Sequence, residues 1–92
     1  PDDTYAHIPE GPGVYLFYGL SEDNKDIPLY VGKSVNLRTR VMSHFSGDHR
    51  VHKDMRIAAE VKRIDWIETA GELGALIEEA RLVKKLSPIH NR

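Results

Sequence analysis

The sequence predicts an α+β domain: a small three-stranded antiparallel sheet flanked by helices, in the order β-β-α-α-β-α. Three observations predict it. Segments 14–18, 27–31 and 64–68 are rich in β-branched and aromatic residues, and the last alternates polar with apolar. Segments 34–45, 49–61 and 69–86 carry apolar residues at helical spacing. The chain of 92 residues, with no internal repeat, low-complexity tract or linker, has room for one such sheet and one modest core.

Pro9, Gly11, Pro12 and Gly13 form a rigid turn that delivers the chain into a first strand, Val14 to Tyr18. A polar loop, Gly19 to Asp26, leads to a second strand, Ile27 to Val31, with Pro28 near its start where a missing N–H is tolerated. The two make a hairpin, and the loop's length leaves its register open. Gly32 ends the second strand, and Ser34 is read as the N-cap of a helix through Phe45. Leu37, Val41, His44 and Phe45 share one face of it. Ser46, Gly47 and Asp48 break that helix, and a second follows over 49–61 with Met55, Ala58, Ala59 and Val61. Ile64 to Glu68 is the third strand. Thr69 is read as the cap of the last helix, with Glu72 completing a capping box, and the helix stops before Ser87-Pro88.

Cysteine is absent, so the chain has no disulfide and no thiolate metal site, which fits a reducing compartment and a cytoplasmic location. No apolar run approaches the roughly 20 residues that span a bilayer, and the N-terminal residues show no signal-peptide pattern, so no membrane partner is expected. The chain starts at Pro1, not methionine, and is expected to be a fragment of a longer protein, folded as one domain over 1–92 and monomeric. The net charge of −1 hides an asymmetry. Residues 1–32 carry one base against six acids, whereas residues 33–63 carry eight bases against three acids. A basic middle third can face a phosphate backbone, or be a solvated mixed-charge surface.

The last helix holds the sharpest local clue. With Leu73 as origin and about 100° per residue, Leu76, Ile77, Ala80 and Val83 fall between about 280° and 40°, the expected core stripe. Glu79, at about 240°, lies inside a widened apolar arc, while Glu78, at about 140°, lies on the wet face beside Lys85. A carboxylate turned toward protein needs a partner, because burying it alone costs several kcal/mol. That partner is either an arginine of the first helix, in a structural ion pair, or a hard divalent cation.

The segment Tyr30-Val31-Gly32-Lys33-Ser34 puts a phenol and an ammonium at a strand-to-helix junction, where a helix N-terminus favours an anion. It lacks the spacing of a nucleotide-binding P-loop. Arg38 and Arg40 lie about 200° apart on their helix, so they cannot face one site. Arg40 borders the Leu37/Val41 stripe and is the one able to reach a cleft. Arg38 is a surface charge or a DNA-backbone contact. His44, on the apolar face, is read as a hydrogen-bonded core histidine. His49 and His52 lack partners at zinc-site spacing, and Trp66 is expected in the core.

Taken together, these residues resemble the GIY-YIG endonucleases. Gly13-Val14-Tyr15 and Tyr30-Val31-Gly32 are similar to the two halves of that signature, with valine for isoleucine in both and fourteen residues between them. The resemblance continues through Lys33, Asn36-Leu37 and Arg40, resumes at Glu79 and ends at Pro88 and Asn91, nearly the whole chain. Within the family it resembles most the N-terminal nuclease domain of excinuclease C and its shorter homologue Cho. The stretches PLYVGKSVNLR and DWIETAGELGAL, and the SHF after the first helix, favour the Cho side. His44 stands where excinuclease C proteins generally have tyrosine.

The resemblance implies hydrolysis of a DNA phosphodiester bond by in-line attack of water, with one Mg²⁺ or Mn²⁺ held by Glu79. It further implies Tyr30 as general base and Arg40 as the charge on the non-bridging oxygens. Tyr15 would orient the water or Tyr30, Lys33 would contribute to catalysis, and Asn91 would steady the site. Lys33, Arg38 and Arg40 are the expected DNA contacts. DNA and the damage-verifying helicase subunit UvrB are the implied partners, UvrB through the full-length protein. Two other readings stand beside it: a non-cutting module of the same fold that docks DNA or a repair partner, and an interaction domain in which Glu79 and Arg40 form a core ion pair.

Overall fold

A computed structural model describes residues 5–46 and 52–92, and for His52, Lys53 and Asp54 the backbone alone. The elements are β1 (Gly13–Leu20), β2 (Asp26–Ser34), α1 (Leu37–His44), α2 (His52–Glu60), β3 (Arg63–Glu68), α3 (Glu72–Leu86) and a 3-10 turn, Ile89–Asn91. The order is the expected one. The start of the second predicted helix lies outside the described residues. The strands form one antiparallel sheet in the order β2-β1-β3. None of the helices is long and apolar enough to cross a membrane, among the described residues.

β1 is central and nearly all buried, and its alternation builds two cores. Tyr15 and Phe17 point to one face, where Ile8, Leu29, Leu37, Val41 and Ile57 pack around them. That face is covered by α1 and α2, and Trp66 joins it half-buried. Val14 and Leu16 point to the other face, with Val31 and with Ala75 and Leu82 of α3. The hairpin loop is shorter than expected, because both strands run on to a turn closed by Ser21 N–H to Lys25 O at 2.9 Å, with Asn24 at φ 62°. A bulge opposite Phe17/Tyr18 settles the register left open by the sequence: Tyr15 lies opposite Gly32, and Phe17 opposite Tyr30.

Three local expectations are corrected. Ser34 is not the cap of α1, because it is still paired to Gly13 in the sheet. Asn36 caps instead, its side chain accepting from Thr39 N–H at 3.0 Å. The carbonyls of Gly11 and Pro9 take the amides of Leu37 and Arg38, so the Pro-Gly turn also closes the start of α1. Thr69 does not cap α3, since its amide donates to Pro12 O at 3.0 Å and extends the β1–β3 ladder. Gly71, itself extended, is the N-cap, and Glu72 opens the helix without a side-chain cap.

The third correction concerns the face of α3. The stripe Leu73, Leu76, Ile77 and Ala80 points outward, with Leu73 70%, Leu76 49% and Ile77 62% exposed. The helix buries its opposite arc, Ala75 and Leu82, with Val83 and Leu86 at the margins. That arc holds less hydrocarbon, but Ala75 lets the helix axis come close to Val14, Leu16 and Val31. Glu79 lies beside this arc, half-buried.

Candidate active site

The two signature glycines are set by packing. A Cβ on Gly32 would sit 2.3 Å from the Tyr15 hydroxyl oxygen and 2.4 Å from its ring carbon, so the Tyr15 ring occupies the space a side chain would need. A Cβ on Gly13 would sit 2.3 Å from the Ile67 carbonyl oxygen and 2.8 Å from Leu37, where β3 and α1 close on the start of β1. Both are close-approach positions, with no unusual φ. The ring that lies over Gly32 thereby delivers its hydroxyl toward α1.

Tyr15 and three other expected site residues are coupled through that hydroxyl. Tyr15 is buried, and Tyr30 lies diagonally across on the same sheet face, with ring centroids 6.1 Å apart. Arg40 of α1 hydrogen-bonds the Tyr15 hydroxyl, and the charges of Arg40, Tyr30 and Glu79 all bear on it. Burial, the largest cause, pushes the Tyr15 phenol well above its usual range. Tyr30 and Glu79 add to this, while Arg40 opposes it. Tyr15 therefore stays protonated at neutral pH, a fixed dipole and not a base.

A fifth residue, His44, joins them. It lies one helical turn after Arg40 and is 2% exposed, with Nε2 2.9 Å from the Tyr15 hydroxyl. Its ring centroid is 5.4 Å from that of Tyr15 and 5.8 Å from that of Tyr30. The reading of a hydrogen-bonded core histidine holds, but the partner is the central tyrosine of the site. The available signal was the four-residue spacing from Arg40, which puts both on one side of α1.

The remaining candidates are placed differently. Asn91 makes two hydrogen bonds to one residue of the edge strand: Val31 N–H donates to Oδ1 at 2.8 Å, and Nδ2 donates to Val31 O at 2.9 Å. It holds the backbone next to Tyr30 and does not reach into the cleft. Lys33 is exposed and points to the α3 side of the sheet, where it lines a hollow of about 260 Å³ with Ser34, Val35, Glu72, Leu73, Ala75 and Leu76. Arg38 is not brought to the cluster. Its Nε donates to Ile8 O at 2.8 Å, and its guanidinium lies 3.5 Å from Glu10, which ties the N-terminal segment to α1.

The basic middle third is also thinner than its count suggests, since Arg63 is taken up by Asp26 at 2.9 Å and stacks 4.1 Å over the Tyr18 ring. His49 and the side chain of His52 lie outside the described residues, as do Arg50 and the side chain of Lys53. Among the described residues no group of three His, Asp or Glu is placed to hold a metal ion.

Residues 11–92 match the family of UvrC-like GIY-YIG domains. The chain belongs to that family. The excinuclease Cho of Escherichia coli K12 is 48% identical over 85 residues, which cover 92% of this chain and 26% of Cho. The UvrABC system protein C of Desulforudis audaxviator is 37% identical over 91 residues, covering 99% of this chain and 14% of that protein. The chain thus spans about a quarter of the length of Cho and a smaller share of the longer relative. Among solved structures, the GIY-YIG N-terminal endonuclease domain of Thermotoga maritima UvrC, bound to magnesium as its catalytic divalent cation, superposes with a TM-score of 0.83 at 33% identity. It covers 99% of this chain and 94% of that one, and its tyrosine-to-phenylalanine variants give TM-scores of 0.81. The three-stranded antiparallel sheet with its helices is the GIY-YIG fold, and by family and fold the chain is an endonuclease domain.

Proposed function

We propose that this domain hydrolyses one DNA phosphodiester bond by in-line attack of water, with one divalent cation, Mg²⁺ or Mn²⁺, held by Glu79. The reading is carried by the electrostatic coupling of the Tyr15 hydroxyl to Tyr30, Arg40 and Glu79, with the Tyr30 ring 6.1 Å from that of Tyr15. The group supplies a tyrosine whose phenolate can take a proton, a guanidinium for the phosphate and a carboxylate for a cation. The donor set suits the cation: a single half-buried carboxylate fits an ion that binds through one or two carboxylates and keeps several waters. When bound, the cation adds positive charge at the scissile phosphate and the leaving oxygen.

The chain's own residues divide the remaining work. Tyr30 takes the proton of the attacking water, and Arg40 lowers the cost of its phenolate, since an isolated phenol with a pKa near 10 is a poor base at neutral pH. Arg40 also neutralises the non-bridging oxygens, a contribution of roughly 2–4 kcal/mol in comparable sites. Tyr15, locked as a phenol between His44 and Arg40, orients Tyr30 or the water. Lys33, from the α3 side, binds the phosphate backbone, and Asn91 fixes the β2 backbone beside Tyr30.

Arg40 is exposed and Glu79 only half-buried, which disfavours a core ion pair as the reason for either. A nearly neutral domain of this size binds DNA weakly alone. Site choice is therefore assigned to regions outside it, or to a UvrB-type partner during one-strand incision in excision repair. The non-cutting DNA-binding module is the second reading.

The decisive test is nicking of supercoiled plasmid in Mg²⁺ or Mn²⁺, with EDTA and Glu79→Gln as controls. We expect cation-dependent nicking that falls at least 100-fold in Glu79→Gln while its melting temperature stays within about 2 °C. Nicking that survives Glu79→Gln would remove Glu79 from the cation site. Wild-type plasmid left intact, also on damaged duplex with UvrB added, would favour the binding module.

A further inference from the structure

Asn91 holds β2 from a short turn at the end of the chain, and that turn has an anchor of its own. After α3, Ser87 adopts the left-handed region at φ 45°, Pro88 is buried, and the 3-10 turn Ile89–Asn91 follows. The side chains of His90 and Asn91 bridge from this turn to different elements. Asn91 bonds the outer edge of β2 at Val31. His90, 8% exposed, places Nε2 2.7 Å from Oε1 of Glu60, the last residue of α2. α2 is itself fixed to the aromatic face through Ile57, which is fully buried. The turn is therefore strung between the α2 layer and the edge of the sheet.

We infer that His90 and Glu60 are positioning residues for strand cleavage: they hold Asn91 in register with Val31, and through the Val31 peptide they fix Tyr30. The geometry requires some such restraint. Two hydrogen bonds from one side chain to the N–H and C=O of one residue demand a fixed Cα as well as a fixed rotamer, and a chain end frays unless tied down. The Asn91 amide bonds Pro88 O at 3.1 Å, and the Arg92 side chain bonds Ser87 O at 3.1 Å. Both are local to the turn and set its shape, not its place on the domain. The 2.7 Å contact with Glu60 joins the turn to a distant element by a side-chain bond, with an ionised acceptor that makes it stronger than a neutral bond. Glu60 is half-exposed, so its removal opens no cavity.

The inference rests on Tyr30 being the base, but its first readout does not. The Val31 N–H points away from β1, onto the open edge, where Asn91 Oδ1 accepts it. Its hydrogen exchange therefore reports the clamp directly. Glu60→Ala and His90→Ala are expected to speed Val31 exchange at least 5-fold, while the Tyr15 and Phe17 amides in the centre of the sheet change less than 2-fold. They should lower kcat for plasmid nicking 5- to 20-fold with KM within 2-fold, and the double variant should be no worse than either single one. Glu60→Gln, which keeps an acceptor oxygen for His90, should restore both readouts to within 2-fold of wild type. A lowered melting temperature with Val31 exchange and kcat unchanged would overturn the inference, as would additive losses in the double variant. If the wild-type domain does not nick, the nuclease reading fails on that result, while the Val31 exchange still decides whether His90 and Glu60 hold the clamp.

Discussion

The two faces of the sheet are built to different rules. On one face, Tyr15, Phe17, Tyr30, His44 and Phe45 stack ring on ring, Tyr15 to Phe17 at 5.3 Å and Phe17 to His44 edge-on at 5.1 Å. On the other, aliphatic side chains of β1 and β2 meet an alanine and a leucine of α3. The aromatic face ends in hydroxyl, imidazole and guanidinium groups, which rigid rings hold in fixed directions. The buried cluster of the aliphatic face is wholly apolar, and its work is to seat α3, which carries Glu79, against the sheet. The chemistry we propose lies where the two meet, along β1 and β2. One face fixes the angles of the groups, and the other fixes the distance of the carboxylate.

Two substitutions sharpen that contrast. The larger effect is expected from Gly32→Ala, which drives a methyl group into the Tyr15 ring. Neither backbone nor ring can yield without disturbing Phe17, His44 and Tyr30, so the cost should be about 3 kcal/mol, at the upper end of overpacking penalties. Urea unfolding checks it, and a cost below about 1 kcal/mol would show that the aromatic face is pliable. Next is Leu82→Ala, on the aliphatic face. Leu82 is 6% exposed, and its loss should cost about 2–3 kcal/mol by the transfer and cavity terms. It should also weaken nicking, because α3 carries Glu79. A stability loss with activity untouched would mean that the carboxylate does not depend on how α3 seats.

Much of this was legible in the sequence, for reasons that are local. Tyr15 and Tyr30 stand on strands that declare themselves by composition, and helical phase alone separates Arg40 from Arg38 and Glu79 from Glu78. In the first pair, Arg38 turns to Ile8 and Glu10. In the second, Glu78 is also half-buried but is occupied by Arg81, with Nε at 2.6 Å. What the sequence hid is non-local. Ser34 and Thr69 are good caps by residue type, yet both are held in the sheet by partners more than twenty residues away, Gly13 and Pro12. The Tyr15–His44 and Glu60–His90 bonds join residues 29 and 30 apart, and no periodicity marks such pairs.

The face that α3 buries departs from its helical wheel for a related reason. A helical wheel ranks arcs by bulk, whereas packing against a twisted sheet rewards the arc that permits close approach. The bulkier arc, Leu73, Leu76 and Ile77, is left outside together with Val35 across the hollow. This leads to the smallest effect expected. Leu73→Ala, at 70% exposure, should change stability by less than about 0.5 kcal/mol, although it deletes the same atoms as Leu82→Ala. The pair of variants isolates burial from residue type, because both are leucines on one helix. A loss for Leu73→Ala near that of Leu82→Ala would mean that the outer arc is covered in solution. In that case a midpoint that rises with protein concentration would identify a second copy of the chain as the cover, since association stabilises by mass action. A midpoint independent of concentration, with a loss under 0.5 kcal/mol, would leave the arc as exposed hydrocarbon and the aliphatic face as the only one on which α3 depends.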